Sequence, residues 1–432
     1  MSRSSSLFPV RVCSFVILAS MVLATGQGFA QDDDEAVNEF DSISEMEPGD
    51  TGLLKAADGM DYFLSIPESY DETKGARLVI FLHGSNMNGR AYMQGIEQKK
   101  WCKDDILCCP NGEASGDDPY GANNFGFASA NPISELTKEV QDELNTTLTY
   151  IGGHSQGGFV TYSCIMHYPD LYHGAFPMAG DCWMQNEPNL WDSQPDKVEA
   201  QKKIAIAVIH GQNDQVVSFS QGEHAFGVFA AACYPKIRFF KPEALGHQFI
   251  FSPVGEALEW LDAMNGQDPP RAMNLAKEWV KDGEWGWAVQ AAIAVKDNLD
   301  ADETSIETAN KVLERVNTPA KEAASNMSAK IKGDESGSWV PEWFEFHRQY
   351  GATEAAKGLV ENYFKRRQMS SESAEKLFWE AQTAFREDKD KAAYDKYEEI
   401  LKDHACTYQA YYAHGAIARR DAEKKKNEKP FR

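Results

Sequence analysis

The chain has 432 residues, of which 42% are hydrophobic and 25% charged. That length allows more than one core, and the composition is that of a folded globular protein, not a disordered one. Its formal net charge of −23 argues against nucleic acid or anionic membrane as the main partner, because a surface of that sign repels phosphate.

Arg3 and Arg11 precede the apolar run Phe15–Ala24, and Gly28-Phe29-Ala30 offers small residues ahead of Gln31. This is the layout of a secretory signal peptide over 1–30, with an apolar run too short for a permanent anchor. Export to the periplasm or the extracellular space is therefore expected, with no membrane span. Export permits disulfides. The cysteines beyond this segment are Cys102, Cys108, Cys109, Cys164, Cys182, Cys233 and Cys406, an odd number that leaves at least one unpaired. Cys108 and Cys109 read equally as bridge partners of Cys102 and as small buried hydrophobes in a strand. No Cys/His spacing resembles a zinc site, so neither a metal nor a cofactor is expected.

Residues 31–50 open with Asp32-Asp33-Asp34-Glu35 and read as an acidic flexible leader. An α/β domain is expected over 51–266. Thr51–Ala57 and Asp61–Ile66 flank Asp58-Gly59, a hairpin signal. Arg77–Leu82, Ile106–Cys109, Thr147–Gly152, Gly174–Gly180, Lys203–Ile209 and Lys236–Lys241 are short apolar runs suited to strands covered on both faces. Helical patterns over 90–100, 132–144, 159–168, 222–234 and 255–264 alternate with them, which predicts a mostly parallel central sheet. Gln267-Asp268-Pro269-Pro270 marks a boundary, and 271–432 reads as an all-α domain. Helix pairs are expected around Asp282-Gly283 and Asp388-Lys389-Asp390, with a further helix over 408–421. Ala381, Ala393 and Tyr397 resemble a tetratricopeptide unit, and Ala276 and Ala288 repeat the alanine spacing. A protein partner for this helical region is one expectation.

The chemistry centres on Gly153-His154-Ser155-Gln156-Gly157. A G-x-S-x-G placed between strand and helix holds a serine on a sharp turn above the sheet edge. A serine nucleophile needs a base, and the base needs an acid to fix its tautomer. Asp214 follows the strand ending at Ile209, and His247 follows the next strand. The order Ser155…Asp214…His247 puts all three at carboxyl ends of strands, where ligands bind in such sheets. Asp181 and Asp192 are weaker acids in this reading because they follow the wrong strand. His154 is expected to point away from the serine, His210 to be structural and His83 to shape its loop. Oxyanion donors are expected from the backbone N–H of Gln156 and of Ser85, with Asn86 as second choice beside Ser85. Asn86 and the aromatic side chains near the mouth, Phe125, Phe127, Trp183 and Trp191, are candidate substrate contacts; the plain alternative for each ring is packing.

Asp61–Gly89, the elbow GHSQGG, HGQNDQVV at 210–217 and LGH at 245–247 resemble the secreted esterases of the α/β-hydrolase superfamily. The type is that of polyhydroxybutyrate depolymerases and feruloyl esterases, related to dienelactone-hydrolase-like and acetylxylan esterases. The resemblance implies an α/β-hydrolase fold, and a carboxylic-ester hydrolase with Ser155, Asp214 and His247 as triad and Ser85 and Gln156 at the oxyanion. It also implies small-molecule or polymer-linked ester substrates. Part of that group has cysteine after the HG pair, where this chain has Ser85. Two other readings stand beside it: a serine peptidase of related fold, and a helical-repeat binding protein using the α/β part as a platform.

Overall fold

Runs that are apolar on both faces need cover on both faces, and here they become the middle of one nine-stranded sheet. The computed structural model describes residues 37–114, 118–126, 129–182, 199–333, 339–360, 371–387, 389–404 and 407–427. The expected signal peptide therefore lies outside the described residues. Strands are β1 (Asn38–Glu39), β2 (Thr51–Lys55), β3 (Asp61–Ser65), β4 (Ala76–Leu82), β5 (Ile106–Pro110), β6 (Glu113–Ala114), β7 (Asn123–Asn124), β8 (Thr146–His154), β9 (Gly174–Met178), β10 (Ala205–Ile209) and β11 (Ile237–Phe240). The large sheet has the order β1-β2-β3-β5-β4-β8-β9-β10-β11, and β6 and β7 form a separate ribbon. Pairing is antiparallel for β2–β3 and β3–β5 and parallel elsewhere in the large sheet. Ile80 lies opposite Ile151, and Ile151 opposite Ala175.

Helices α1 (Gly89–Lys99), α2 (Ala130–Glu143), α3 (Gln156–His167), α4 (Phe219–Ala231) and α5 (Val254–Met264) connect or close the strands. One buried cluster joins Ile80, Leu82, Ile151 and Val208 of the sheet to Leu136 of α2, Val160 of α3 and Phe229 of α4. At the amino end of β4, the Arg77 guanidinium grips Asp105 at 2.6 Å and Asp262 of α5 at 2.5 Å. That fixes the end of the sheet opposite the elbow.

The helical region comprises α6 (Pro269–Asp282), α7 (Trp285–Asp297), α8 (Glu303–Gly333), α9 (Val340–Tyr350), α10 (Glu354–Leu359), α11 (Ser371–Arg386), α12 (Asp390–Asp403) and α13 (Tyr408–Asn427). The expected pairs form: Ala276 and Ala288 are fully buried where α6 meets α7, and Ala381, Ala393 and Tyr397 are buried between α11 and α12. Methyl-sized residues let the two helix backbones approach closely. A second buried cluster gathers Met327, Trp343, Phe346, Phe378 and Ile400.

Two segments differ from the sequence-based expectation. The acidic leader is structured over its second half: β1 pairs with β2, and Ile43 and Met46 are buried. Its few apolar residues find a place on the sheet that an acidic composition conceals. Helix α8 was not anticipated. Its buried stripe is Ala309, Val312, Val316, Ala320, Ala324, Met327 and Ile331, a correct helical period written largely in alanine and valine, and Pro319 inside it reads as a breaker. The described cysteines Cys102, Cys108, Cys109, Cys164, Cys182 and Cys233 are buried, and Cys102, Cys108 and Cys109 carry free thiols, so Cys108 and Cys109 fill the strand β5 and do not bridge to Cys102. Among the described residues no helix is long and apolar enough to cross a membrane.

Residues 38–432 form one compact unit, and Trp287 of α7 is a principal joint within it. Its indole N–H donates to the Ile237 carbonyl of edge strand β11 at 3.0 Å. Its ring stands edge-on to Trp260 and Trp279, with the Arg238 guanidinium 4.7 Å above it. Replacing Trp287 with alanine removes a packed ring and a hydrogen bond, and is expected to lower unfolding stability by roughly 3 kcal/mol. Urea unfolding followed by circular dichroism tests this; an unchanged midpoint would show that the joint carries no stability.

Candidate active site

Ser155 sits between β8 and α3 with φ +55° and ψ −118°. A non-glycine residue held there costs on the order of 1–3 kcal/mol and persists only where its surroundings enforce it. The Ser155 N–H donates to the Met178 carbonyl at 2.9 Å, and the Gly157 N–H donates to the His83 carbonyl at 3.1 Å. A Cβ at Gly157 would collide with the carbonyls of Leu82 and His83, so only glycine lets α3 start this close to β4. The turn is thus clamped between its neighbour strands on both sides.

Asp214 lies in the loop after β10. Its carboxylate is buried, and Oδ1 accepts the N–H groups of Val216 and Val217, both at 2.8 Å. Oδ2 accepts the Nδ1–H of His247 at 2.7 Å. Burial pushes the Asp214 carboxyl up, but the His247 hydrogen bond and charge, with the two backbone donors, outweigh it and hold the group below the usual carboxylate range. The acid and base loops are also tied directly, since the N–H of Asn213 donates to the Leu245 carbonyl and that of Gln212 to the Pro242 carbonyl. With Nδ1 engaged by Asp214, His247 keeps Nε2 for a second partner.

His247 also packs on the elbow. Its ring centroid is 4.6 Å from that of His154, the residue before Ser155. The buried His154 ring thus packs on His247, a contact the sequence did not disclose, and the Tyr92 hydroxyl donates to its Nδ1 at 2.8 Å. Tyr92 in turn stacks on Phe249, centroids 4.2 Å apart. Burial lowers the His154 pKa to about 3, so a neutral ring sits beside His247 and does not repel a cation there. His83 behaves as expected of a loop-shaping residue. Its Nδ1–H donates to the Gly84 carbonyl at 2.8 Å, its ring lies 4.5 Å from that of Phe125, and burial lowers its pKa to about 4. His210 donates from Nε2 to the Val217 carbonyl at 2.9 Å, bracing the acid loop. Asp181, the alternative acid, bonds His224 and not His247.

The 83–86 loop stands beside the elbow: a Cβ built on Gly84 would lie 3.5 Å from the Ser155 Cβ. Among the described residues no hydrogen bond takes the N–H of Ser85 or of Gln156. The Asn86 N–H is taken, by Asn124 Oδ1 at 3.1 Å, and the Asn124 side chain returns a bond to Asn86 Oδ1. The side chain of Gln156 has a task that the sequence did not disclose. Its Oε1 accepts the Phe125 N–H and its Nε2 donates to the Phe125 carbonyl, both at 3.0 Å. That pair fixes the 118–125 loop above the elbow. Phe125 itself is buried. Phe127, Trp183 and Trp191 lie outside the described residues.

The sheet order, the elbow and the strand-end loops make this an α/β-hydrolase fold. The sequence profile of the Phospholipase/Carboxylesterase family matches residues 127–265, which include Ser155, Asp214 and His247. A probable feruloyl esterase C of Aspergillus clavatus is 25% identical over 177 residues, covering 38% of this chain and 58% of the relative. Its counterpart in Aspergillus flavus is 26% identical over 184 residues, covering 40% and 61%. The chain thus spans about three-fifths of the length of these relatives. Among solved structures, acyl-protein thioesterase 2 of Zea mays matches with a TM-score of 0.38 and 16% identity, over 47% of this chain and 97% of that one.

The neutral histidines set an acid limit on stability. His83 and His154 have folded pKa values of about 4 and about 3, below the ordinary 6.5. The unfolded chain therefore binds the extra protons first, and their contribution is present above pH 6.5 and lost as pH falls toward 4. Between pH 7 and 4.5 each should cost about 2 kcal/mol. The urea midpoint should fall over that interval, and fall less steeply in a His154→Phe variant. Parallel profiles for the two proteins would place the titration elsewhere.

Proposed function

We propose that this protein is an exported serine hydrolase that cleaves carboxylic esters through an acyl-enzyme on Ser155. The observation that carries the proposal is the 2.7 Å bond between His247 and the buried Asp214 carboxylate, made beside a serine in an enforced positive-φ turn. Asp214 holds the imidazole with Nδ1 protonated, which makes Nε2 the basic nitrogen. In this reading Nε2 takes the Ser155 hydroxyl proton as Oγ attacks the ester carbonyl. The N–H groups of Ser85 and Gln156 receive the oxyanion, and the Gln156 donor sits at the positive end of α3. His247 then gives its proton to the leaving alcohol. Water, deprotonated by the same nitrogen, releases the acid and restores the serine.

The relatives named as feruloyl esterases make hydroxycinnamoyl esters the first substrates to assay, next to short acyl esters and acetylated sugars. The Arg3–Ala30 pattern supports export, and the loop held by Gln156 supports a substrate wall over the elbow.

A fluorophosphonate probe is expected to label the wild-type protein and not a Ser155→Ala variant. Asp214→Asn should lower kcat on p-nitrophenyl acetate by about 10⁴-fold, since the amide favours the wrong tautomer of His247. Equal labelling of wild type and Ser155→Ala, or an Asp214→Asn variant with unchanged kcat, would refute the assignment.

A further inference from the structure

A second group of reactive side chains lies outside the proposed ester chemistry. Asp181 and Cys182 follow β9, His224 lies on α4, and Tyr412 reaches them from α13. His224 Nδ1 is 2.7 Å from Asp181 Oδ1, and its Nε2 is 2.6 Å from the Tyr412 hydroxyl. The ligand atoms of Asp181, Cys182 and His224 all lie within 4.8 Å of one another. Cys182 is 1% exposed, and the side chains of Asp181 and His224 are 13% and 22% exposed.

We propose that Asp181, Cys182 and His224 bind a zinc ion, with Tyr412 as the outer partner that orients the imidazole. Thiolate, imidazole and carboxylate together are a donor set for a borderline-soft cation that favours four ligands. Magnesium and calcium, which take oxygen donors, do not fit a site with sulfur and nitrogen. Zinc–ligand bonds of about 2.0–2.3 Å place donors roughly 3.5 Å apart in a tetrahedron; the ligand atoms lie within 4.8 Å of one another, and the 2.7 Å His224–Asp181 contact opens to admit the ion. Three protein donors leave the fourth position to water. Cys182 and His224 lie 42 residues apart on different segments, which is why no local Cys/His spacing announced them.

The protons of this cluster balance on binding. Without metal, the Asp181 carboxylate can only accept, so Nδ1 of His224 carries the ring proton and Nε2 accepts the Tyr412 O–H. A zinc ion takes the Nδ1 lone pair. The ring proton moves to Nε2, and the Tyr412 oxygen turns from donor to acceptor, the arrangement in which a ligating histidine donates from its other nitrogen. The Cys182 thiol gives its proton to solvent as the sulfur–zinc bond forms, one proton released per ion bound. Burial and the Asp181 charge push the metal-free thiol well up, which keeps it protonated and unreactive; a dication reverses that local balance.

The test uses the full chain after removal of the first 30 residues, loaded with zinc chloride and desalted. Atomic emission should find about one zinc per chain. Loading with cobalt(II) in place of zinc should give a thiolate-to-metal charge-transfer band in the near ultraviolet, absent from a Cys182→Ser variant. Tyr412→Phe keeps every ligand and should weaken zinc binding about ten- to a hundredfold, with far-ultraviolet circular dichroism confirming that the variants fold. Sub-stoichiometric zinc in the wild type, no thiolate band with cobalt(II), or zinc retained equally by Cys182→Ser and His224→Gln would each overturn the proposal.

Discussion

The rest of the site depends on a single backbone conformation, that of Ser155. At φ +55° the chain leaves β8 and enters α3 within one residue, and the side chain projects at the sheet edge where the two strands beside β8 also end. Nothing local favours that state for serine; it is bought by the hydrogen bonds to Met178 and His83 on either side and by the absence of a Cβ at Gly157. Strain at this point is therefore a property of three adjacent strands, not of the five-residue motif. It follows that β4 and β9 matter to the placement of Ser155 as much as β8 does, although neither carries a reactive side chain.

The same logic extends to the proposed acid and base. Asp214 and His247 approach each other because their loops share backbone bonds between 212–213 and 242–245, so the carboxylate–imidazole contact is held by main chain before any side-chain preference acts. Two N–H donors on one carboxylate oxygen leave the other for His247, which fixes both the tautomer and the ring plane. His154 forms a floor beside that ring, backed in turn by Tyr92 and Phe249. A neutral floor suits the proposed chemistry: a cation there would oppose the imidazolium that base catalysis by His247 would pass through.

Much of this was legible in the sequence, for identifiable reasons. The parallel strands were readable because burial on both faces leaves unbroken apolar runs, and Ser155, Asp214 and His247 because chain order and strand ends constrain them. What the sequence hid depends on contacts between distant segments. The Gln156 side chain meets Phe125 only because the loop folds back over the elbow, and the contacts of His154 were hidden because its partner, Tyr92, lies on another element. Asp181, Cys182 and His224 are spread over two elements with no spacing to read. Helix α8 was missed for a different reason: its core stripe is small and contains Pro319, so its period was present with little hydrophobic contrast.

The helical region cannot be treated as an appendage to the sheet. Strand β11 is the last of its sheet, and an uncovered edge presents unpaired backbone groups to other chains. Trp287 of α7 occupies one of those groups at Ile237, while Trp260 of the closing helix α5 is 1% exposed and packs edge-on to the same indole. Tyr412 of α13 meets His224 on α4, the helix that follows the Asp214 loop. Removing residues beyond 270 would thus uncover an edge strand, a tryptophan and a partly buried histidine at once. Loss of activity in such a truncation would report the loss of that cover, so a role for the helices in substrate choice or partner binding has to be sought with point substitutions on their exposed faces, such as at Trp379, 40% exposed, which leave the joint intact.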